Sequence, residues 1–282
     1  MNTLLQGSDR LRDAFAEADF AVHHGGKRAN VLGVGVSAVN MEEALRACDE
    51  LIASEGRGYV CVTGVHGVME AQRDPQFREI QNHSFLTVPD GMPTVWVGRA
   101  QGHLQMRRVY GPDFMQEFCR LSVKRNYRHF LYGGKEGVAE ALADKLREQF
   151  PGLQIVGTYT PPFRALNADE KEALNVMIRS SRPNVIWVGL STPKQERFMA
   201  EYTQELEAGL MVGVGAAFDL HTGNMTDAPG WVKSIGMQWL HRLVQEPRRL
   251  WRRYLLNNPR FIALTLLQFA GLKRYSIERS NG

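Results

Sequence analysis

Cysteine is scarce in this chain of 282 residues: Cys48, Cys61 and Cys119 are far apart and form no CxxC pair. That argues against a disulfide framework or a zinc site, and for a reducing compartment. No run of about 18 apolar residues occurs, so no segment reads as a membrane span. The opening MNTLLQGSDRLRDAFAEADF carries acids where a signal peptide needs an apolar core, which leaves the cytoplasm as the expected location. The Asp-x-Asp motif is missing, and with it the usual means by which a sugar-nucleotide enzyme holds Mg²⁺ or Mn²⁺. HExxH and GxSxG are missing too, as are internal repeats and low-complexity linkers. The sequence therefore implies neither a metal nor a cofactor.

What remains is a globular composition, 44% hydrophobic and 23% charged, in a chain long enough for one large α/β domain or two small ones. The net charge of +4 conceals an asymmetry. Residues 229–282 hold ten Lys/Arg against Glu246 and Glu278, a surplus of eight, and residues 1–228 are mildly acidic. A basic end attracts polyanions: a nucleic acid, an anionic membrane surface or a diphosphate. No nucleic-acid reader motif accompanies the charge, so nucleic acid is the least favoured of the three.

Residues 1–29 are polar and read as loosely packed. NVLGVGVSAV (30–39) reads as a buried strand, and Asn40 with Glu43 as a capping box opening a helix. Apolar strands at 59–64, 85–88, 129–134, 153–159, 184–190 and 210–215 then alternate with helical patterns near 66–82, after Asp90, and at 135–149, 168–180 and 193–207. Strands apolar on both faces, alternating with helices, predict a Rossmann-like α/β fold: a mostly parallel sheet with helices on both faces. The alternation ends near Asp227. We divide the chain into a core, 1–228, and a basic amphipathic helical appendage, 229–282.

In such a sheet, ligands gather at the carboxyl ends of the strands. Three glycine turns there could cradle phosphate on backbone N–H groups and helix N-termini. They are Gly133-Gly134-Lys135, the Gly189-to-Gln195 segment GLSTPKQ with Ser191, Pro193 and Lys194, and the turn through Gly215 with Asp219 downstream. Tight packing explains any one of them equally well. GVGVSA (33–38) matches GxGxxA only formally, because its glycines fall inside the expected strand and not at its exit. The run FLTVPDGMP (85–93) carries a buried strand straight into Asp90, which is either a turn Asp or a catalytic carboxylate, with Gly91 easing the turn beside it. In the tail, Leu243, Leu250, Trp251, Tyr254 and Leu255 recur at helical spacing among arginines, and 261–272 is apolar but too short to span. This reads as a helix lying in a membrane interface, or else as a packed hairpin with a solvated basic face.

Several stretches together resemble the WecG/TagA/CpsF family of bacterial glycosyltransferases: TVPDGMPTVW (87–96), RRVYGPDF (107–114), FLYGGKEGVAE, PGLQIVGTYTPPF (151–163), GLSTPKQE (189–196), GVGAAFDLHTG (213–223) and the start of the tail (227–254). The resemblance implies the family's own Rossmann-like fold and an inverting, metal-independent transfer in surface-polysaccharide or teichoic-acid-type synthesis. The donor would be a UDP-sugar and the acceptor a polyprenyl-diphosphate-linked glycan at the inner membrane face. It makes Asp90 the general base, Arg108 a partner of the leaving diphosphate, and Thr63 and Gln195 donor-binding residues. Arg248, Arg249, Arg252 and Arg253 then face the acceptor diphosphate or the membrane. One departure stands out: Thr63-Gly64-Val65 occupies the place where many members read Thr-Pro-Asn, and His66 follows. The donor sugar stays open, as does homo-oligomerisation. The alternatives are a non-catalytic nucleotide-binding membrane adaptor and a nicotinamide-dependent oxidoreductase.

Overall fold

The computed structural model describes residues 26–203, 205, 206 and 208–277. The reading of residues 1–29 therefore falls, for its first 25 residues, outside the described part, as does the tail beyond residue 277.

The six expected parallel strands are present: β3 (Gly58–Thr63), β4 (Leu86–Pro89), β5 (Arg128–Gly133), β6 (Gln154–Tyr159), β7 (Val185–Gly189) and β8 (Leu210–Gly213). They form one sheet in the order β4-β3-β8-β7-β5-β6, every pair parallel. Side chains alternate between its faces, as the pleat requires. Val60, Leu131, Trp187 and Val212 enter one core with the helices α1 (Met41–Ala53), α5 (Gly111–Arg125) and α6 (Val138–Gln149). Tyr59, Phe130, Ile186 and Met211 enter the other with α7 (Ala168–Ser181) and α8 (Lys194–Tyr202). Both faces are covered, which is why each strand reads as uninterrupted apolar sequence. The Asn40–Glu43 capping box on α1 is reciprocal, with bonds of 2.9 and 3.0 Å.

The structure corrects the sequence reading in three places. Residues 30–39 are not one strand: β1 (Arg28–Val31) and β2 (Val34–Ser37) form an antiparallel hairpin outside the main sheet. Its turn residues Leu32 and Gly33 have φ of 54° and 85°, the two positive values of the tightest hairpin turn. Gly33 is thus a hairpin residue, and no strand–glycine–helix dinucleotide site exists there. The single helix near 66–82 is two, α2 (Val65–Ala71) and α3 (Pro75–His83), divided where Asp74 caps the Phe77 N–H at 3.1 Å and Pro75 opens the next helix. And the helix α5 went unread, because its GPDF start looked like loop.

α4 (Met92–Ala100) follows β4, and α9 (Ala217–Thr222) follows β8. The tail then forms α10 (Gly230–Ser234), α11 (Gln238–Gln245) and α12 (Pro247–Phe269). α12 seats Leu250, Asn257 and Phe261 against the body, where Phe261 joins a third apolar cluster with the hairpin, α2 and α4. Its far end is clamped: the Gln268 carboxamide donates to Asn30 O at 2.8 Å and accepts from Leu32 N at 3.1 Å. Beyond it, Tyr275 O accepts from Asn30 at 2.7 Å.

Candidate active site

The carboxyl ends of β4, β3 and β8 open into a cleft of about 690 Å³, roofed by α10, α11 and α12. Asp90, Gly91, Arg108, Ser191, Gln195, Gly215, Asp219, Arg249 and Arg253 all line it. Thr63, Gly133, Gly134, Lys135, Gly189, Pro193, Lys194, Arg248 and Arg252 are not among its lining residues.

Asp90 leaves β4 with its N–H donating to Thr63 O at 3.0 Å, a last sheet-like bond that fixes where its side chain emerges. Its Oδ1 accepts the Gly111 N–H at the start of α5, 3.1 Å away. The carboxylate is thus anchored by a residue 21 positions on, and not by its own turn. Its other oxygen lies near Gly64, whose missing Cβ would sit 3.9 Å from it. Gly91 has φ −111°, accessible to any residue, and a Cβ there would make only ordinary contacts. The backbone conformation does not require glycine here; the absent side chain leaves the space beside Asp90 uncrowded.

Arg108 ties the body to the roof. Its Nε donates to Asp90 O at 2.5 Å, its guanidinium lies 4.2 Å from the Tyr110 ring centroid, and Nη2 donates to Gln238 of α11. Tyr110 in turn donates to Asp227 at 3.1 Å, and Asp227 pairs with Lys233 of α10. Burial, reinforced by Asp90 and Asp227, pushes the Tyr110 phenol far up, so it stays protonated. Burial alone would raise Asp227 as well, but the Lys233 and Ala228 bonds hold it below its usual value.

Gln195 is buried beneath the cleft, with Nε2 donating to Glu196 at 3.2 Å and Oε1 unpartnered. Gly213 leaves room for it, since a Cβ there would come within 3.0 Å of Nε2. Glu196 also accepts from Thr192 Oγ1 at 2.7 Å, and burial raises its pKa above the ordinary carboxylate value. Thr63 is buried with its hydroxyl accepting from Gln81 at 3.1 Å.

The Gly133–Gly189 turn does different work. A Cβ on Gly133 would fall 2.7 Å from Gly189 O, and one on Gly189 only 2.9 Å from the Phe218 ring. These glycines let β5, β7 and α9 close on one another. Lys135 and Lys194 stand exposed outside the cleft.

Sequence reasoning missed several lining residues. Arg242, Trp239 and Gln238 come from α11, and Tyr254 from α12. The i, i+4 ladder Arg249, Arg253, Asn257, Phe261 turns one face of α12 to the cleft but carries no signal for these residues. His66 also lines the cleft, and neither ring nitrogen makes a well-formed hydrogen bond. Burial pushes it down to about 3, with Arg253 repelling a proton and the Thr192 backbone opposing the shift, so the ring is neutral at neutral pH. Among the described residues, no group of three His, Cys, Asp or Glu is placed to share a metal ion.

Away from the cleft, α12 exposes Leu255 and Leu256, 58% and 61% accessible, with Arg248, Arg252 and Arg260 alongside; Ile262 and Leu266, also exposed, lie at the cleft. No described helix is long and apolar enough to cross a membrane.

A family model described as "Glycosyl transferase WecG/TagA/CpsF family" matches residues 29–275. The N-acetylglucosaminyldiphosphoundecaprenol N-acetyl-beta-D-mannosaminyltransferase of Bacillus subtilis (strain 168) is 28% identical over 198 residues, 70% of this chain and 74% of its own length. The protein of the same name from Bacillus spizizenii is 28% identical over 197 residues, with the same coverage of each chain.

Proposed function

The chain belongs to the WecG/TagA/CpsF glycosyl transferase family, and from that premise we propose that it moves a sugar from a UDP-sugar to a polyprenyl-diphosphate-linked acceptor carrying N-acetylglucosamine. The acceptor class follows the names of the two Bacillus relatives. The product would be a cell-envelope polymer: an exopolysaccharide or a teichoic-acid-type chain.

The observation that carries this reading is the cleft itself. One anchored carboxylate, Asp90, shares it with four arginines, Arg108, Arg242, Arg249 and Arg253. In the reaction, Asp90 takes the proton of the acceptor hydroxyl, and that oxygen attacks the anomeric carbon from the face opposite the nucleotide. The anomeric C–O bond to phosphate breaks, and UDP leaves with the electron pair, inverting the centre. Arg108 and the roof arginines stabilise the negative charge that builds on the diphosphate, the task a metal ion performs elsewhere. Gln195 and Asp219 serve the donor. We assign the other exposed residues of the glycine turns, Lys135 and Lys194, no direct contact.

The appendage of residues 229–282 supplies two functions. Its inner face completes the cleft, and its outer face, with exposed leucines beside Arg248 and Arg252, suits the surface of an anionic bilayer. The enzyme would then work at the cytoplasmic face of the membrane, where its acceptor is presented. The test is transfer from a panel of UDP-sugars to a lipid-linked N-acetylglucosamine acceptor, with and without EDTA, and with the anomeric configuration of the product read by NMR. Retention of configuration, or activity abolished by EDTA and restored by Mg²⁺, overturns the mechanism. Absence of transfer from every UDP-sugar overturns the donor class.

A further inference from the structure

His66 is a polar group of the cleft that the proposed reaction leaves without a task. Buried polar atoms in folded proteins are paired as a rule, yet both His66 ring nitrogens are out of contact with solvent and neither makes a well-formed hydrogen bond, although the Thr192 backbone lies near enough to favour a ring proton. The carboxylate on its own helix, Glu70, is 3.8 Å away, beyond hydrogen-bond distance. Around it stand cations from three elements: Arg73 just past α2, Arg242 on α11 and Arg253 on α12.

Arg73 is held by Glu70 and Asn257 at 2.8 and 2.7 Å, but the other two cations are underserved. Arg242 Nε is buried without a partner. Arg253 is pushed below the usual arginine range by burial and by repulsion from Arg249 and Arg242. A cationic ligand is excluded from such a place. A neutral hydroxyl could bond the imidazole but would leave the guanidinium groups repelling one another. An anion satisfies all of them together, and a neutral imidazole offers it an N–H at little electrostatic cost. The cleft volume of about 690 Å³ lies in the range of small-molecule sites, roughly 300–1,000 Å³.

We propose that His66 is a diphosphate ligand of the cleft, donating a ring N–H to an anion shared with Arg242 and Arg253. The assignment rests on the reaction proposed above, which offers two sources of that chemistry: the nucleotide diphosphate of the donor and the lipid diphosphate of the acceptor. It also gives a role to the residue beside Val65, where the amide of the more usual motif is absent.

The experiment measures binding of inorganic pyrophosphate, UDP and farnesyl diphosphate by calorimetry to the full-length wild type, His66→Ala and His66→Gln. Nitrogen NMR of the His66 ring is recorded in the wild type with and without pyrophosphate. His66→Ala should bind pyrophosphate about 10- to 100-fold more weakly, the range for one hydrogen bond to a charged group. His66→Gln, which keeps an N–H, should recover part of the loss, and the ring resonances should move on binding. The probe that loses most, UDP or farnesyl diphosphate, names the source. Unchanged affinity in a folded His66→Ala overturns the proposal. So do ring signals unmoved by saturating pyrophosphate, or no binding of any probe to the wild type. Should His66→Ala not fold, the wild-type NMR decides. Sugar transfer intact in His66→Ala with unchanged binding would remove this site and leave the reaction standing. His66-dependent pyrophosphate binding without any transfer would do the reverse.

Discussion

The carboxyl edge of the sheet has two halves that look alike in sequence and differ in construction. At β5 and β7, Gly133 and Gly189 approach so closely that an added Cβ would fall within 2.9 Å of neighbouring atoms. That half is sealed by Phe218. At β4, β3 and β8, the loops beyond the paired strands leave polar groups unpartnered and line a cleft. Glycine after a strand therefore signals two opposite things: closure where the neighbouring backbone fills the space, and access where nothing does. The distinction lies in which strands are neighbours, a property of topology and not of local sequence.

Substitutions on the two halves should separate activity from stability. The largest effect is expected at Asp90→Asn, which keeps the Gly111 bond but cannot accept a proton. Turnover should fall about 10²- to 10⁴-fold with an unchanged melting temperature; near-normal kcat would remove Asp90 from the base role. Second, the open half should be the lipid-facing one. Replacing Leu255, Leu256 and Leu267 together by Ser should weaken liposome co-sedimentation by about 100-fold, taking roughly 1 kcal/mol for each inserted side chain. Because all three are exposed, the fold should survive, and unchanged co-sedimentation would refute membrane docking through this face. Third, Gly189→Ala in the sealed half should cost about 1–3 kcal/mol of stability through overpacking against Phe218, measured by denaturant unfolding. The protein that remains folded should keep its KM. Equal stability would mean that the seal has slack.

The smallest effect is a pH slope. His129, on β5, accepts from Trp187 Nε1 at 2.8 Å, and burial pushes it down to about 3 from an ordinary 6.5. The unfolded chain binds this proton more readily than the folded one, so stability rises with pH across that interval. It is fully present above about 6.5 and is lost progressively as pH falls toward 3. His129→Gln should flatten that part of the stability profile; a profile of the same slope would assign it to other groups.

The parallel sheet was legible because strands buried on both faces leave no polar alternation to misread. The hairpin was not, because Leu32 is apolar and fully buried while adopting a left-handed turn conformation. A run of apolar residues hides such a turn. Helix α5 was missed for the opposite reason: its Gly-Pro-Asp start resembles a loop, although Pro suits a first helical turn. In the site, Asp90, Arg108 and Gln195 could be picked out by strand position and motif. Arg242 and Tyr254 could not, since their relevance depends on α11 and α12 folding back over the sheet edge. Of the four tail arginines grouped together in sequence, helical phase sends Arg249 and Arg253 inward and leaves Arg248 and Arg252 outside.

The clamp of Gln268 and Tyr275 on the hairpin fixes α12 at its far end, while Leu250 and Phe261 hold it along its length. With 23 residues, the helix is about 35 Å long at roughly 1.5 Å per residue. A helix so fastened cannot swing independently of the sheet. If its outer face lies on the bilayer, the height of Asp90 above the lipid is set by the protein and not by thermal motion of a tether. The enzyme then works as a gauge: it acts on a hydroxyl at one distance from the membrane, and the number of sugars already on the lipid becomes part of what it recognises.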